Sequence, residues 1–239
     1  MDESSLYYET VQKELSAWEK QIRKDPGLGK RLSKKVQAKV HSVTPLKVQD
    51  LITASIKTMI ETVLGSSRLL TKTKINRDPT LAESDFLVER AYQSYHKAAV
   101  AQGIGFGLGG FLVNLADMPA LLTVQVKFLF DCCKLYGFDP DIKIERLFIL
   151  HVFQLAYSSS RRGAEILPLI KDWDAQAQTL EADWEKLQME YRDYMDIAKL
   201  MQLLPVVGAV AGGAANHNLM NRLKQTAMNA YRLRIITKK

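Results

Sequence analysis

Along most of the chain apolar residues return every three or four positions, the spacing that lines one side of a helix. Val11, Leu15, Trp18 and Ile22 form the first such stripe, which Asp25-Pro26-Gly27 interrupts. Leu32, Val36 and Val40 form a second, flanked by Lys30, Arg31, Lys34, Lys35 and Lys39, a basic amphipathic helix. Thr44 and Pro45 supply a cap and a first-turn proline for a third helix carrying Val48, Leu51, Ile52, Ile56, Met59, Ile60, Val63 and Leu64. Thr80 and Glu83 have the spacing of a capping box, opening a helix whose inner face carries Leu87, Val88, Ala91, Tyr92 and Tyr95. Asp117 is placed to cap the run from Ala120 to Phe130, with Pro119 in its first turn and Gly137 as its stop. Asp139-Pro140 starts a further helix through Ile144, Leu147, Phe148, Leu150 and Val152, which Ser158 to Gly163 ends as an interhelix loop. After Pro168, the residues Leu180, Trp184, Leu187, Tyr191 and Met195 give a long amphipathic helix, and a basic helix closes the chain. No stretch alternates as a strand does and no fixed period repeats. The expected fold is all-α, a multi-helix globular bundle. Basic amphipathic helices over 1–78 precede a helical core over 79–239, together one continuous domain.

Two stretches break this amphipathic rule. From Ala98 to Ala116 and from Leu200 to Asn221 no residue is charged. Gly103 and Gly107, Gly105 and Gly109, and Gly208 and Gly212 stand four apart, so on a helix each pair gathers on one side and lets a facing helix approach closely. Each stretch is about long enough to cross a bilayer, since roughly 20 residues are needed. Glycine, however, weakens a helix by up to about 1 kcal/mol per residue relative to alanine. Three readings stay open: close packing in the core, conditional insertion into a membrane, or two true membrane passes.

Charge sharpens the picture by its placement. Between Arg23 and Lys47 stand eight basic residues and one acidic residue, Asp25; from Leu219 to Lys239 stand six basic residues and none acidic. Both tracts could meet an anionic surface. The stripe Lys30, Arg31, Lys34, Lys35 and Lys39 is the best binding feature; it is either a solvated face or one drawn to an anionic leaflet. No aromatic residues interleave it, so nucleic acid is not an expected partner.

Candidate chemistry is sparse. Cys132 and Cys133 are adjacent, which excludes a loop-closing disulfide framework and a CxxC pair and points to a reducing compartment with two buried thiols. The start of the chain is acidic and polar and lacks the pattern of a secretory signal. His41, His96, His151 and His217 show no ligand spacing, so any metal would need distant helices; none is expected. The glycine row has neither a dinucleotide fingerprint nor a P-loop, and no cofactor is expected. Asp117 and Asp139 are explained as caps, and Asp141 and Glu145 as an exposed acidic helix start. No catalytic residue is identified. Asn216-His217-Asn218 is a polar patch beside an apolar stretch, which either lines a polar pocket with Asp117 or hydrogen-bonds across to another helix.

Several segments together resemble the EcsC protein family: Trp18-Glu19, the Thr44–Leu64 helix, the glycine block leading into Leu115-Ala116-Asp117-Met118-Pro119-Ala120-Leu121-Leu122, the Tyr136-Gly137-Phe138-Asp139 turn, and Leu204-Pro205-Val206-Val207-Gly208-Ala209. The resemblance spans most of the chain. It implies a bacterial protein on the inner face of the cell membrane, cytoplasmic and peripherally attached. The family is named after an operon that also encodes ABC-transporter subunits, so those subunits are the partners implied, and no catalytic residue comes with the resemblance. The function expected is a non-enzymatic accessory or regulatory protein linked to such a transporter. The alternative is a helical lipid-binding protein or hydrolase-like enzyme with a pocket near Asp117 and Asn216.

Overall fold

Where the structure describes them, the stripes of apolar residues become helices that pack through them. A computed structural model describes residues 3–24, 46–65, 72–107, 118–158, 160–176 and 212–237. Every regular element among these residues is helical: α1 (Glu3–Arg23), α2 (Leu46–Gly65), α3 (Leu81–Gly107), α4 (Met118–Leu135), α5 (Lys143–Tyr157), α6 (Ser160–Lys171) and α7 (Gly212–Thr237). The protein is an all-α bundle. Its axis is α7, which packs against α3, α4, α5, α6 and α1. The pairs Asp85–Arg232, Glu89–Lys224 and Tyr92–Asn221 set α3 and α7 antiparallel. The core gathers Ile56, Ile60 and Val63 of α2, Phe128 and Phe130 of α4, Phe148 and Phe153 of α5, Trp173, and Leu223 and Tyr231 of α7, all essentially without solvent contact.

Local signals act as expected at two junctions. At the start of α3 the Thr80 amide donates to Glu83 Oε2 and the Glu83 amide to Thr80 Oγ1, a reciprocal capping box. The Thr80 amide and, second, its hydroxyl, both donating to Oε2, hold the Glu83 carboxyl below its ordinary range. At the end of α4, Gly137 adopts φ +86° while its amide donates to Lys134 O and that of Phe138 to Cys133 O, a Schellman motif. A Cβ on Gly137 would also sit 3.2 Å from both Asn76 O and Pro79 Cδ. Gly137→Ala is therefore expected to lose about 1–3 kcal/mol in urea unfolding; a loss under a few tenths would refute this reading of the turn.

Three expectations are corrected. Ser158 to Gly163 is not a loop, because α6 begins at Ser160 and carries Gly163 inside it. A Cβ there would lie 2.9 Å from Ile22 Cγ2, so the glycine admits α1 against α6. Asp139 does not cap α5; its Oδ1 accepts the Asp141 amide and shapes the turn, while the position before α5, Ile142, has no side-chain cap bond. Glu145 is not exposed at all but buried with Arg234.

The chargeless stretches enter the bundle in part. Gly103, Gly105 and Gly107 lie within α3, and Gly212 opens α7. Gly109, Gly208, Asp117, the helix expected over 180–195 and the stripe Lys30, Arg31, Lys34, Lys35 and Lys39 fall outside the described residues. Among the described residues no helix is long and apolar enough to cross a membrane.

Candidate functional site

The polar groups that the sequence left scattered converge where the second half of α3 meets the first half of α7. On α3 the i, i+4 pair Tyr92 and His96 faces the i, i+4 pair His217 and Asn221 of α7, positions that share one helix side by their spacing. Tyr92 donates its hydroxyl to Asn221 Oδ1. The Asn221 amide nitrogen lies 2.7 Å from His217 Nε2, and His217 Nδ1 lies 2.6 Å from His96 Nε2. The imidazoles meet edge to face, with centroids 4.7 Å apart. One turn further along α7, Lys224 Nζ bridges both Glu89 oxygens at 3.0 and 2.8 Å and lies 4.6 Å over the Tyr92 ring. On the opposite side Tyr92 and Tyr95 pack edge-on against Phe128 of α4, and Tyr95 donates to Asp131 Oδ2 over 2.7 Å. The result is a polar line running from buried Tyr92 to exposed His217.

Its electrostatics follow from this burial. Tyr92 is pushed up to about 12, by burial first and by Glu89 second. His96 is pulled below the usual histidine value, by burial first, then by His217 and Lys224.

Of the pocket envisaged from Asp117, Asn216 and His217, only the His217 side chain can be placed. It meets Asn221 and His96 rather than a carboxylate, which is the cross-helix role open to the patch from sequence. Asn216 is in the first turns of α7, and Asp117 lies outside the described residues. Among the described residues no group of three or more His, Cys, Asp or Glu side chains is placed to hold a metal. Cys132 and Cys133 are both fully buried, and desolvation raises both thiols, so neither is poised as a nucleophile.

Sequence reasoning missed two further polar centres. In the first, Asp85 accepts hydrogen bonds from the Tyr7 and Tyr136 hydroxyls and from Arg232 Nε at 2.9 Å, while Arg232 Nη1 reaches Glu14 at 2.9 Å. In the second, Arg234 forms a two-pronged pair with Glu145 at 2.6 and 2.7 Å and also binds Asp174 Oδ1. Its guanidinium stacks 4.0 Å from the Phe138 ring centroid and 4.8 Å from that of Phe148. Together with Lys224 on Glu89, these bonds pair three of the basic residues of the C-terminal tract with carboxylates elsewhere in the bundle, while Arg222 is exposed and donates to Ser158 O. Those three cations act as clamps between helices rather than as a surface stripe. A basic residue spaced to face a helix seam was the available signal, but its acidic partners lie far off in sequence.

Comparison with known proteins places these features in a lineage. The model of the EcsC protein family matches residues 9–236, nearly the whole chain. The chain belongs to the EcsC protein family. It is 38% identical over 226 residues to Protein EcsC of Bacillus subtilis (strain 168), covering 95% of each chain. Uncharacterized protein YdbA of the same organism is 34% identical over 166 residues, 67% of this chain and 61% of that protein. No solved structure matches. Within this EcsC-family chain, the Tyr136-Gly137-Phe138 turn that carried the resemblance is structural throughout: Tyr136 binds Asp85, Gly137 ends α4, and Phe138 stacks on Arg234.

Proposed function

We propose that this EcsC-family protein is a non-enzymatic accessory of an ABC transporter that works at the cytoplasmic face of the membrane, held there by anionic lipid. The reading rests on one observation: Lys30, Arg31, Lys34, Lys35 and Lys39 fall within a stretch, 26–49, that contains no acidic residue. Arg31, Lys35 and Lys39 are spaced four apart, so a helix would present them together beside Leu32, Val36 and Val40. The pairing of Lys224, Arg232 and Arg234 with Glu89, Asp85 and Glu145 supports it, since those cations are already neutralised within the bundle. The transporter subunits enter through the setting that the family resemblance implies.

Flotation with vesicles tests the membrane part. The protein is expected to float with anionic vesicles at low salt, to remain behind with neutral ones, and to be released by high salt. At about 1 kcal/mol per basic residue, replacing all five with glutamine should weaken partitioning more than about a hundredfold. Equal flotation of the variant, or none by the wild type, would sink the proposal. The transporter part is tested by affinity purification from native membranes, in which recovery of the ATPase and membrane subunits is expected.

A further inference from the structure

The bonds joining α3 to α7 have a direction, and that direction limits how many protons they can hold. With Tyr92 donating to Asn221 Oδ1, the amide turns its Nδ2–H toward His217 Nε2, which must accept. Neutral His217 then carries its hydrogen on Nδ1 and donates to the bare Nε2 of His96. Reversing every bond gives the other arrangement, in which His96 donates to His217, His217 to the amide oxygen, and the amide to Tyr92. Either way, one of the two nitrogens 2.6 Å apart carries no hydrogen. A first proton can be absorbed: His96 becomes the cation and donates to bare Nδ1 of His217 while the amide turns over. A second proton cannot, because two N–H groups would then point at each other between two cations.

The surroundings offer little to neutralise that charge. From α7, His217 and Lys224 face His96; on α3 stand Tyr92 and Glu89, and Glu89 is already bound to Lys224. On α4, the Asp131 carboxylate accepts from Tyr95. Beyond the pair, α3 runs on through Gly103, Gly105 and Gly107, and α7 starts from Gly212 and Gly213, so neither end has strong helical propensity of its own.

From this geometry we infer that His96 and His217 form an acid-released latch: with at most one proton between them they join the later turns of α3 to the first turns of α7, and with two they part them. This inference is independent of the lipid-surface reading and stands or falls separately.

The sign follows from the doubly protonated pair being the one that cannot bond. A histidine whose folded form is harder to protonate contributes stability above its unfolded value, near 6.5, and that stability fades as pH falls. Hydrogen exchange of the full chain at about pH 7.5 and about pH 5, corrected for intrinsic rates, reads it directly. Amides around 93–101 and 217–221 should lose about tenfold protection in acid relative to the rest of the chain. In the double variant H96Q/H217Q, whose amides can bond without titrating, the two pH values should give the same protection there. His151, half-buried on α5, would instead loosen 143–157. An unchanged wild type, or an equal acid loss in the double variant, overturns the latch. Imidazole nitrogen-15 spectra of the wild type provide a second readout: protection should fall only with the second proton, and a fall before it overturns the latch as well.

Discussion

Replacing Arg234 with alanine should lower stability by about 3–5 kcal/mol and the thermal midpoint by roughly 10 °C, read by circular dichroism in urea and on heating. The two side chains of the Arg234–Glu145 pair are only 4% and 7% exposed, so removal of the guanidinium strands a carboxylate that water cannot reach. The same substitution empties the slot between Phe138 and Phe148 and releases Asp174. The double variant Arg234→Met with Glu145→Leu should recover much of the loss, since a matched apolar pair leaves no buried charge. A single variant within about 1 kcal/mol of wild type would show that the clamp is not the charge anchor its geometry suggests.

Asp85→Ala should be nearly as costly, about 3–5 kcal/mol, because three donors lose one buried acceptor at once. Tyr136 would be stranded against the core, Arg232 would keep only Glu14 and Asn229, and α1 would lose the Tyr7 bond by which it is tied to α3. The expected sign is specific: limited proteolysis should cut the segment before Lys24 first, while the rest of the bundle resists. Tyr7→Phe alone should cost about 1 kcal/mol, and combined with Asp85→Ala should add little, since the bond is already gone. Additive effects of the two substitutions would mean that Tyr7 does not act through Asp85. Burial and Asp85 together push Tyr7 up to about 12, so the tie should persist throughout the neutral range.

The two clamps explain why a C-terminal helix dense in arginine misled a reading for surface charge. Arginine forms buried ion pairs when a planar carboxylate is presented in the right register, and that register is a property of packed helices. Glu145 and Arg234 are 89 residues apart, and Asp85 and Arg232 are 147 apart. No spacing rule within one helix connects them. The same holds for His96 and His217, 121 residues apart. The i, i+4 placement of Tyr92 with His96 and of His217 with Asn221 was visible, but not that the two pairs would face each other.

What could be known before any packing is what depends on near neighbours in the chain. The recurrence of apolar residues made the fold all-α, Thr80 and Glu83 placed the start of α3, and Gly137 placed the end of α4, because capping and backbone handedness are settled within a few residues. Loop against helix at Ser158 to Gly163 was not settled that way, since Gly163 is held in α6 where Ile22 of α1 closes over it. Which basic residues turn inward, and which histidines touch, depended on the arrangement of whole helices. Desolvation and hydrogen bonding act over a few ångströms in space, and only the bundle brings such distant residues that close.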